Sequence, residues 1–351
     1  MDRVNAPELV ISRGRLVDNI FAVQRRIAPS ELMVVMKDDA YGHGIEAVVD
    51  AITASDAVVR WFGGYDIPTS LRIRARAGTG PRVFAWATSS EDEARAAISA
   101  DIDLGVGTEP YLQQVIRAAE ALHATARVHL KIDTGLHRNG FRPEEWGRAV
   151  DATLEAERRG SIVLEGVWSH LAEASDEEDD EAASAFDQAV AAVRAAGGSP
   201  QALHLTASAA SWWRPELRGT VSRIGAFCYG IRSGDGPRLP GVAPIASLVA
   251  PVVRVDGAGV EVGIGALDGL PTTLVGAEVG TPAGPRRITA VDASRVTLEA
   301  WADAAVGDLV HVFGPGEHGE SDATTLGEHI GSIGEEILLR LSPRIRRTFV
   351  D

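Results

Sequence analysis

The chain has 351 residues, of which 45% are hydrophobic, enough for the buried cores of one large and one smaller domain. A formal net charge of −15 argues against nucleic acid or an anionic membrane as a partner, since the one basic cluster, residues 344–347, is short. The single cysteine, Cys228, excludes an intramolecular disulfide and favours a cytoplasmic protein. We find neither the basic start and apolar core of a signal peptide nor an apolar run of membrane-spanning length.

The first two thirds of the chain alternate between short runs of β-forming residues and amphipathic or Ala-rich stretches. This alternation is typical of a parallel sheet built from strand–helix units, and eight such runs predict a closed (β/α)8 barrel of the TIM type. An open, doubly wound sheet is the alternative, but the Gly-rich segment that usually follows its first strand is missing, because Gly14 is isolated. The predicted strands are residues 9–11, 32–36, 59–62, 83–86, 104–106, 126–132, 162–168 and 203–205.

The last third of the chain has a different pattern. Residues 232–244 are rich in Gly and Pro and indicate a linker, and the β-type runs that follow are separated by turns. We therefore predict a barrel over residues 8–231 and a C-terminal, mostly-β domain over residues 232–351. The strands predicted in this second domain are residues 245–255, 260–264, 286–291, 295–300, 308–313 and 337–341.

A lysine ends the second predicted strand. The apolar run stops at Lys37, and turn-forming Asp and Gly residues follow. A strand-end lysine that reaches to water is the ordinary interpretation. Here Tyr41 offers a hydroxyl on the same turn, and Gly42 and Gly44 allow a ligand to approach the backbone. At the mouth of a barrel, partial desolvation lowers the pKa of an amine and makes it nucleophilic, so this pattern favours a chemical role for Lys37.

Charged groups also follow other predicted strands. Lys131 and Arg138 lie in a segment that would otherwise be an ordinary turn with an Asp cap. His170 follows another strand, where an imidazole either flanks a planar cofactor ring or fills the core. The acidic run 176–181 is interpreted as a solvated helix start rather than a cation site, because metal sites need convergent ligands.

The end of the predicted barrel carries groups suited to a phosphate. Ser208 opens a predicted helix, where free N–H groups and a hydroxyl form a ready anion site. Gly225 and Ala226, shortly after Arg223, can present further backbone N–H groups in the loop position where barrels commonly hold phosphate. We therefore expect a phosphorylated ligand at this end of the barrel.

Five of these segments together resemble the motifs of bacterial alanine racemases, in the order of that family and each at a predicted strand end. The resemblance spans nearly the whole predicted barrel; the C-terminal half follows the family more loosely, through residues 263–271 and 342–347. It implies a barrel that carries pyridoxal 5′-phosphate, a C-terminal β domain and a homodimer. The five segments are residues 37–44, 131–140, 168–170, 204–210 and 222–226.

The resemblance also implies roles for single residues. Lys37 is the Schiff-base lysine and a catalytic base. Arg138 helps to hold the substrate carboxylate, which an arginine fork suits, and Lys131, often carbamylated in the family, supports that arginine. His170 lies against the pyridine ring and Arg223 faces its nitrogen, which makes the ring a weaker electron sink because a guanidinium keeps its protons. The remaining cofactor contacts are implied for Tyr41, Ser208, Gly225 and Ala226.

The sequence departs from the family pattern at positions that matter for catalysis. The family's second catalytic base, a tyrosine presented by the partner subunit, is replaced by Ala266. Its phosphate-binding tyrosine is replaced by Glu335, and the Asn before the phosphate serine is Ala207. Lys37 is therefore the one evident base, and two-sided proton transfer requires a proton carrier on each face.

Two function classes follow from this sequence. The first is an isomerase of D-alanine biosynthesis that interconverts L- and D-alanine with pyridoxal phosphate and no metal. A divergent enzyme that performs another one-base reaction on a small amino acid is an alternative within this class, and the second class is a cofactor-binding protein without racemase activity. The substrate is left open by the sequence, as is the identity of a second base.

Overall fold

Two eight-stranded sheets organise the described part of the chain, residues 6–257 and 259–351 of this computed structural model. The chain divides into two compact units that alternate along the sequence. The barrel unit comprises residues 23–37 and 52–225, and the second unit comprises the chain up to Ala22, residues 38–51 and residues from Ala226 onward. The predicted boundary between residues 231 and 232 stays a prediction.

The barrel unit contains a parallel sheet in the order β8-β7-β6-β5-β4-β3-β2-β9. Its two outer strands are joined through Thr220, whose hydroxyl accepts from the N–H of Leu203 (2.8 Å), and through the Arg223 N–H, which donates to the carbonyl of Thr206 (3.2 Å). The sheet is thus a nearly closed TIM-like barrel. Strand β1, Glu8–Ser12, belongs to the other sheet. The barrel strands are β2 Glu31–Val35, β3 Trp61–Tyr65, β4 Arg82–Ala85, β5 Asp103–Val106, β6 Ala126–Lys131, β7 Ile162–Trp168, β8 Ala202–His204 and β9 Val221–Ile224.

The barrel strands are buried on both faces, as expected for a parallel barrel covered by helices. Large side chains including Met33, Trp61, Phe84 and Trp168 fill the core. The predicted fold class is confirmed, and the open-sheet alternative is wrong because the two outer strands, β8 and β9, are joined to each other through Thr220 and Arg223.

Helices alternate with the barrel strands, and several begin with side-chain caps. Ser90 and Glu93 form a reciprocal capping box, and Ser175 caps the helix that opens with the acidic run 176–181. That run is therefore a helix start, as predicted. None of the helices among the described residues is long and apolar enough to cross a membrane. The helices from Arg13 onward are Arg13–Ile27, Ile45–Thr53, Ile67–Ala77, Glu91–Ser99, Glu109–Leu122, Pro143–Arg158, Asp176–Ala195 and Ser208–Trp213.

The second unit is built on a mostly antiparallel sheet in the order β11-β14-β13-β12-β15-β10-β1-β16. Because β10 also pairs with β11, six of these strands close into a separate antiparallel β-barrel. Two short helices, Ala323–His329 and Gly334–Leu339, complete the unit. The strands are β10 Ala246–Asp256, β11 Gly259–Val262, β12 Glu278–Thr281, β13 Gly284–Val291, β14 Val296–Leu298, β15 Leu309–Phe313 and β16 Arg346–Val350.

Two strand predictions are wrong. Residues 9–11 do not begin the parallel barrel, because β1 pairs antiparallel with β10 and parallel with β16. The eighth barrel strand is β9, a segment for which the sequence predicts only a phosphate site. Residues 337–341 lie mainly in the helix Gly334–Leu339. An apolar run this short does not distinguish a strand from a helix by periodicity.

Candidate active site

The charged side chains predicted from the barrel motifs follow strands of one parallel sheet. Lys37 comes two residues after β2, Lys131 ends β6, and Arg223 lies on β9. His170 follows β7, and Ser208 opens the short helix after β8. Since the carboxyl ends of parallel barrel strands share one rim, the sheet brings these groups to the end of the barrel where such folds perform chemistry.

Arg223 is buried and held by several acceptors. Its Nη1 donates to the carbonyl of His204 (2.7 Å), and its Nη2 donates to the carbonyls of Ser169 (2.8 Å) and Leu205 (3.1 Å) and to His170 Nδ1 (3.0 Å). Burial, reinforced by the charge of Arg138, lowers the pKa of Arg223 to about 9. The guanidinium therefore stays charged at neutral pH and is fixed in orientation.

His170 is a neutral imidazole in this environment. Burial and the positive charges of Arg223, Arg138, Lys131 and Lys37 lower its pKa to about 3. Its Nδ1 accepts from Arg223, so the proton of the neutral ring lies on Nε2. The same four cations provide a strongly positive field that suits a phosphate or a carboxylate.

Lys131 lies against an aromatic surface. Its side chain is 4% exposed, and its Nζ lies 4.7 Å from the ring centroid of Trp168, over which Arg223 also lies at 5.2 Å. Burial and the charges of Arg138 and Arg223 lower the pKa of Lys131 to about 8. An appreciable fraction of this amine is therefore neutral, and nucleophilic, near neutral pH.

Arg138 is exposed on the loop after β6. The carboxylate of Asp133 organises this loop by accepting from the N–H groups of Gly135 (3.1 Å) and His137 (3.0 Å), so the segment contains the Asp turn of the ordinary interpretation. Asp133, Arg138 and Glu181 line an open pocket on the barrel unit. Binding of a substrate carboxylate by Arg138 stays a prediction.

The expected phosphate segment contains both donors and a carboxylate. The N–H of Gly225 donates to the hydroxyl of Ser208 (3.2 Å), which brings these two predicted groups together. Glu173, absent from our predictions, accepts from the N–H of Ala210 (3.2 Å) in the helix that Ser208 opens. Burial raises the pKa of Glu173. A carboxyl group of the chain itself thus accepts from an N–H of the helix that is expected to bind phosphate.

Tyr41 belongs to the second unit and ends an unusual turn. Asp38, Asp39, Ala40 and Tyr41 all have φ between 52° and 56°, so they form one turn of left-handed helix, which costs L-residues about 1–2 kcal/mol each. Hydrogen bonds hold this turn, among them Gly42 N–H to the Asp38 carbonyl at 2.9 Å. The sequence suggested a turn here, but not its handedness.

The Tyr41 side chain is buried within the second unit. Its ring centroid lies 5.0 Å from that of Tyr229, and a backbone hydrogen bond joins its hydroxyl to Ala226. Burial raises the pKa of Tyr41 above its usual range, and the charge of Glu335 raises it further. Tyr41 is therefore a neutral phenol, and a carboxylate lies near it.

Ala266 opens a short 3-10 turn, Ala266–Asp268, in the second unit. Its N–H donates to the carbonyl of Asp292 (2.9 Å), and the Asp268 carboxylate accepts from the N–H of Gly265 (3.0 Å). The turn is thus fixed by its own hydrogen bonds. The methyl side chain of Ala266 has no atom that can carry a proton.

Two signals in the sequence would have strengthened the prediction. The chain contains only two lysines, Lys37 and Lys131, and both occur at the ends of barrel strands. The second signal is a polar residue inside an apolar barrel strand, such as His129 in β6, which is buried in the core of the barrel unit. A buried polar side chain requires partners, so each such residue predicts a hydrogen-bonded neighbour.

Known proteins resemble this chain over its full length. The family model "Alanine racemase, N-terminal domain" matches residues 11–233. A protein named alanine racemase from Thermobifida fusca (strain YX) is 35% identical, with 97% of each chain covered. The alanine racemase structure from Streptomyces coelicolor A3(2) has a TM-score of 0.93 at 27% identity, covering 100% of this chain and 99% of that one.

A second solved structure is of alanine racemase from D-cycloserine-producing Streptomyces lavendulae, with a TM-score of 0.91 at 29% identity, covering 99% of this chain and 97% of that one. The match to the family model exceeds half of the chain, and the match to the Thermobifida fusca protein extends through the second unit as well. On these grounds the chain belongs to the alanine racemase family.

Proposed function

We propose that this protein is a pyridoxal-phosphate-dependent racemase that acts on a small amino acid, alanine by family resemblance. The observation that carries the proposal is the Arg223 guanidinium, buried, charged and hydrogen-bonded to His170, in the same sheet as the strand-end amine of Lys37. An amine, a fixed cation and a neutral imidazole form a donor set that fits a phosphorylated pyridine ring carrying an aldehyde.

The residues of the barrel unit fit this cofactor. Lys37 would hold it covalently, Ser208 and the Gly225 N–H would bind its phosphate, and Arg223 would face its ring nitrogen. Cofactor contacts of Tyr41 and Ala226 stay predictions from the sequence. When bound, pyridoxal phosphate acidifies the Cα–H of an amino acid attached to it.

The chain's own groups then move the proton. The Lys37 amine would remove the Cα proton on its face. Arg223 keeps its protons and so holds charge without transferring it. His170, neutral and with its proton on Nε2, would pack against the ring. Arg138 would bind the substrate carboxylate through two parallel hydrogen bonds.

Lys131 is proposed to support Arg138 after carbamylation. Only a neutral amine reacts with carbon dioxide, and the pKa of about 8 gives Lys131 such a fraction at neutral pH. The product is an anion, which can accept from the guanidinium of Arg138. A carbonyl signal after exposure to ¹³CO₂, lost in a Lys131→Arg variant, would support this assignment; an unchanged signal would contradict it.

A second candidate reaction is favoured by Ala266. With no proton carrier at that position, a one-sided reaction such as proton exchange, decarboxylation or elimination is the alternative. A homodimer and a cytoplasmic location remain proposals that rest on the resemblance and on the single cysteine.

The test is a racemisation assay with purified protein, pyridoxal phosphate and each enantiomer of alanine, analysed by chiral chromatography. We expect the opposite enantiomer to appear, more slowly than for an enzyme with two positioned bases, because losing one typically costs about 10² to 10⁴ in rate. Cofactor uptake without racemisation would leave the one-sided reactions, and no cofactor uptake would contradict the proposal.

A further inference from the structure

A row of hydrogen-bonded polar side chains crosses the core of the barrel unit. Asp103 opens β5, His129 lies in β6, His204 ends β8 and Arg223 lies in β9. The first three side chains are fully buried and Arg223 is 4% exposed. Asp103 Oδ2 lies 3.1 Å from His129 Nε2, His129 Nδ1 lies 2.9 Å from His204 Nε2, and His204 Nδ1 lies 3.2 Å from Arg223 Nη1.

The direction of every hydrogen bond in this row is fixed by its ends. Arg223 can only donate, so His204 accepts at Nδ1 and carries its proton on Nε2. That proton is donated to His129 Nδ1, which places the proton of His129 on Nε2, directed at Asp103. Both histidines are thus neutral and each has a single tautomer. Burial and the neighbouring Arg223, which lower the pKa of His204 far below its usual value, agree with this assignment.

The far end of the row is a paired anion. Asp103 accepts from Arg82 Nη2 (2.5 Å) and from Arg127 Nε (2.6 Å). Burial alone would raise the pKa of Asp103, but the hydrogen bond from His129 and the two guanidinium groups hold it below its usual range. Arg82 is also paired with Glu165 at 3.1 Å. Asp103 is therefore charged at working pH and accepts the last proton of the row.

We propose that Asp103 is a positioning residue for Arg223, acting through His129 and His204. Packing alone does not explain the row, since apolar side chains could fill this aromatic core without the cost of burying charges. Gly166 makes room for it, because a Cβ at that position would lie 2.4 Å from His129 Nδ1. With Asp103 as terminal acceptor, His204 offers Nδ1 to Arg223, and the guanidinium is oriented toward His170.

The tautomers can be tested on the chain without cofactor. In protein labelled with ¹⁵N-histidine, we expect the imidazole nitrogen shifts of His129 and His204 to show neutral Nε2–H tautomers, and those of His204 to stay constant between pH 5 and 9. In Asp103→Asn, the amide cannot accept from Arg82, Arg127 and His129 as the carboxylate does, so both signals should shift toward mixed tautomers. Glu165→Gln, which also alters a partner of Arg82, should leave both signals unchanged.

The parent protein alone can overturn the proposal, because an Nδ1–H tautomer or a titrating signal for His204 would contradict it even if Asp103→Asn does not fold. The consequence for Arg223 rests on the proposed function. With pyridoxal phosphate bound, Asp103→Asn should change the pH dependence of the visible absorbance and lower kcat about tenfold with little change in KM. If the tautomers change and the absorbance does not, the proposed positioning of Arg223 by Asp103 is wrong. If the parent takes up no cofactor, the proposed function is wrong and the tautomer assignment is unaffected.

Discussion

The two units of the chain differ in the chemistry that their side chains can perform. The barrel unit provides an amine, a fixed guanidinium and a neutral imidazole in Lys37, Arg223 and His170. The second unit has Ala266 and Glu335 where the family resemblance expects two tyrosines. We infer that cofactor binding and two-sided proton transfer are separable in this fold. This chain retains the groups for cofactor binding more fully than those for two-sided proton transfer.

The largest effect is expected from a substitution in the barrel unit. Lys37→Ala should abolish covalent attachment of pyridoxal phosphate, because the amine that bonds it is gone. Borohydride reduction followed by intact-mass measurement should show one adduct per chain in the parent and in Lys131→Arg, where Lys37 is the only lysine left. An adduct on Lys131 in the Lys37→Ala variant would show that the two lysines have been assigned the wrong way round.

The second largest effect is expected from a substitution in the second unit. Ala266→Tyr restores a phenol that can carry a proton and should raise racemisation of alanine by up to about 10²-fold, with a smaller effect on exchange of the D-form. Ala266→Phe is the matched control, since it adds the ring without the hydroxyl. Equal gains in both variants would mean that the ring, and not proton transfer, is responsible.

A smaller effect is expected from Glu173. Its carboxylate occupies the N–H of Ala210 and opposes a phosphate, so Glu173→Gln should tighten pyridoxal phosphate binding roughly three- to tenfold at neutral pH. Because burial raises the pKa of Glu173, its carboxyl becomes neutral at a higher pH than usual. The affinities of parent and variant should therefore converge as the pH falls. Absorbance titrations at several pH values test this, and equal affinities at neutral pH would contradict it.

The smallest effect concerns the left-handed turn. Asp38 is exposed with φ 52°, so Asp38→Gly should raise the free energy of unfolding by up to about 1 kcal/mol. Asp39→Gly is the control, because it also loses the hydrogen bond from the Ile45 N–H to Asp39 Oδ1 (3.2 Å). Denaturant unfolding should show a gain for the first variant only. The same gain in both would mean that the Asp39 bond contributes nothing.

The sequence predicted the barrel and its strand-end groups because apolar runs that stop at charged residues are a local pattern. It assigned residues 9–11 to the wrong sheet, since the partner strands β10 and β16 are more than 230 residues away and no local pattern encodes that pairing. The row from Asp103 to Arg223 was missed for the same reason: each member is one polar residue in a different strand, and its meaning depends on contacts across the barrel.

The central claim, that this chain has one positioned base, is tested most directly by α-proton exchange in D₂O. D-Alanine and L-alanine are incubated separately with the holoenzyme, and loss of the Cα–H signal is followed by NMR beside chiral analysis. We expect the D-form to exchange faster than it racemises and the L-form to exchange slowly, because Lys37 is the one proposed base and the methyl group of Ala266 cannot replace the second. Fast and equal exchange of both enantiomers would show that another group supplies the second base.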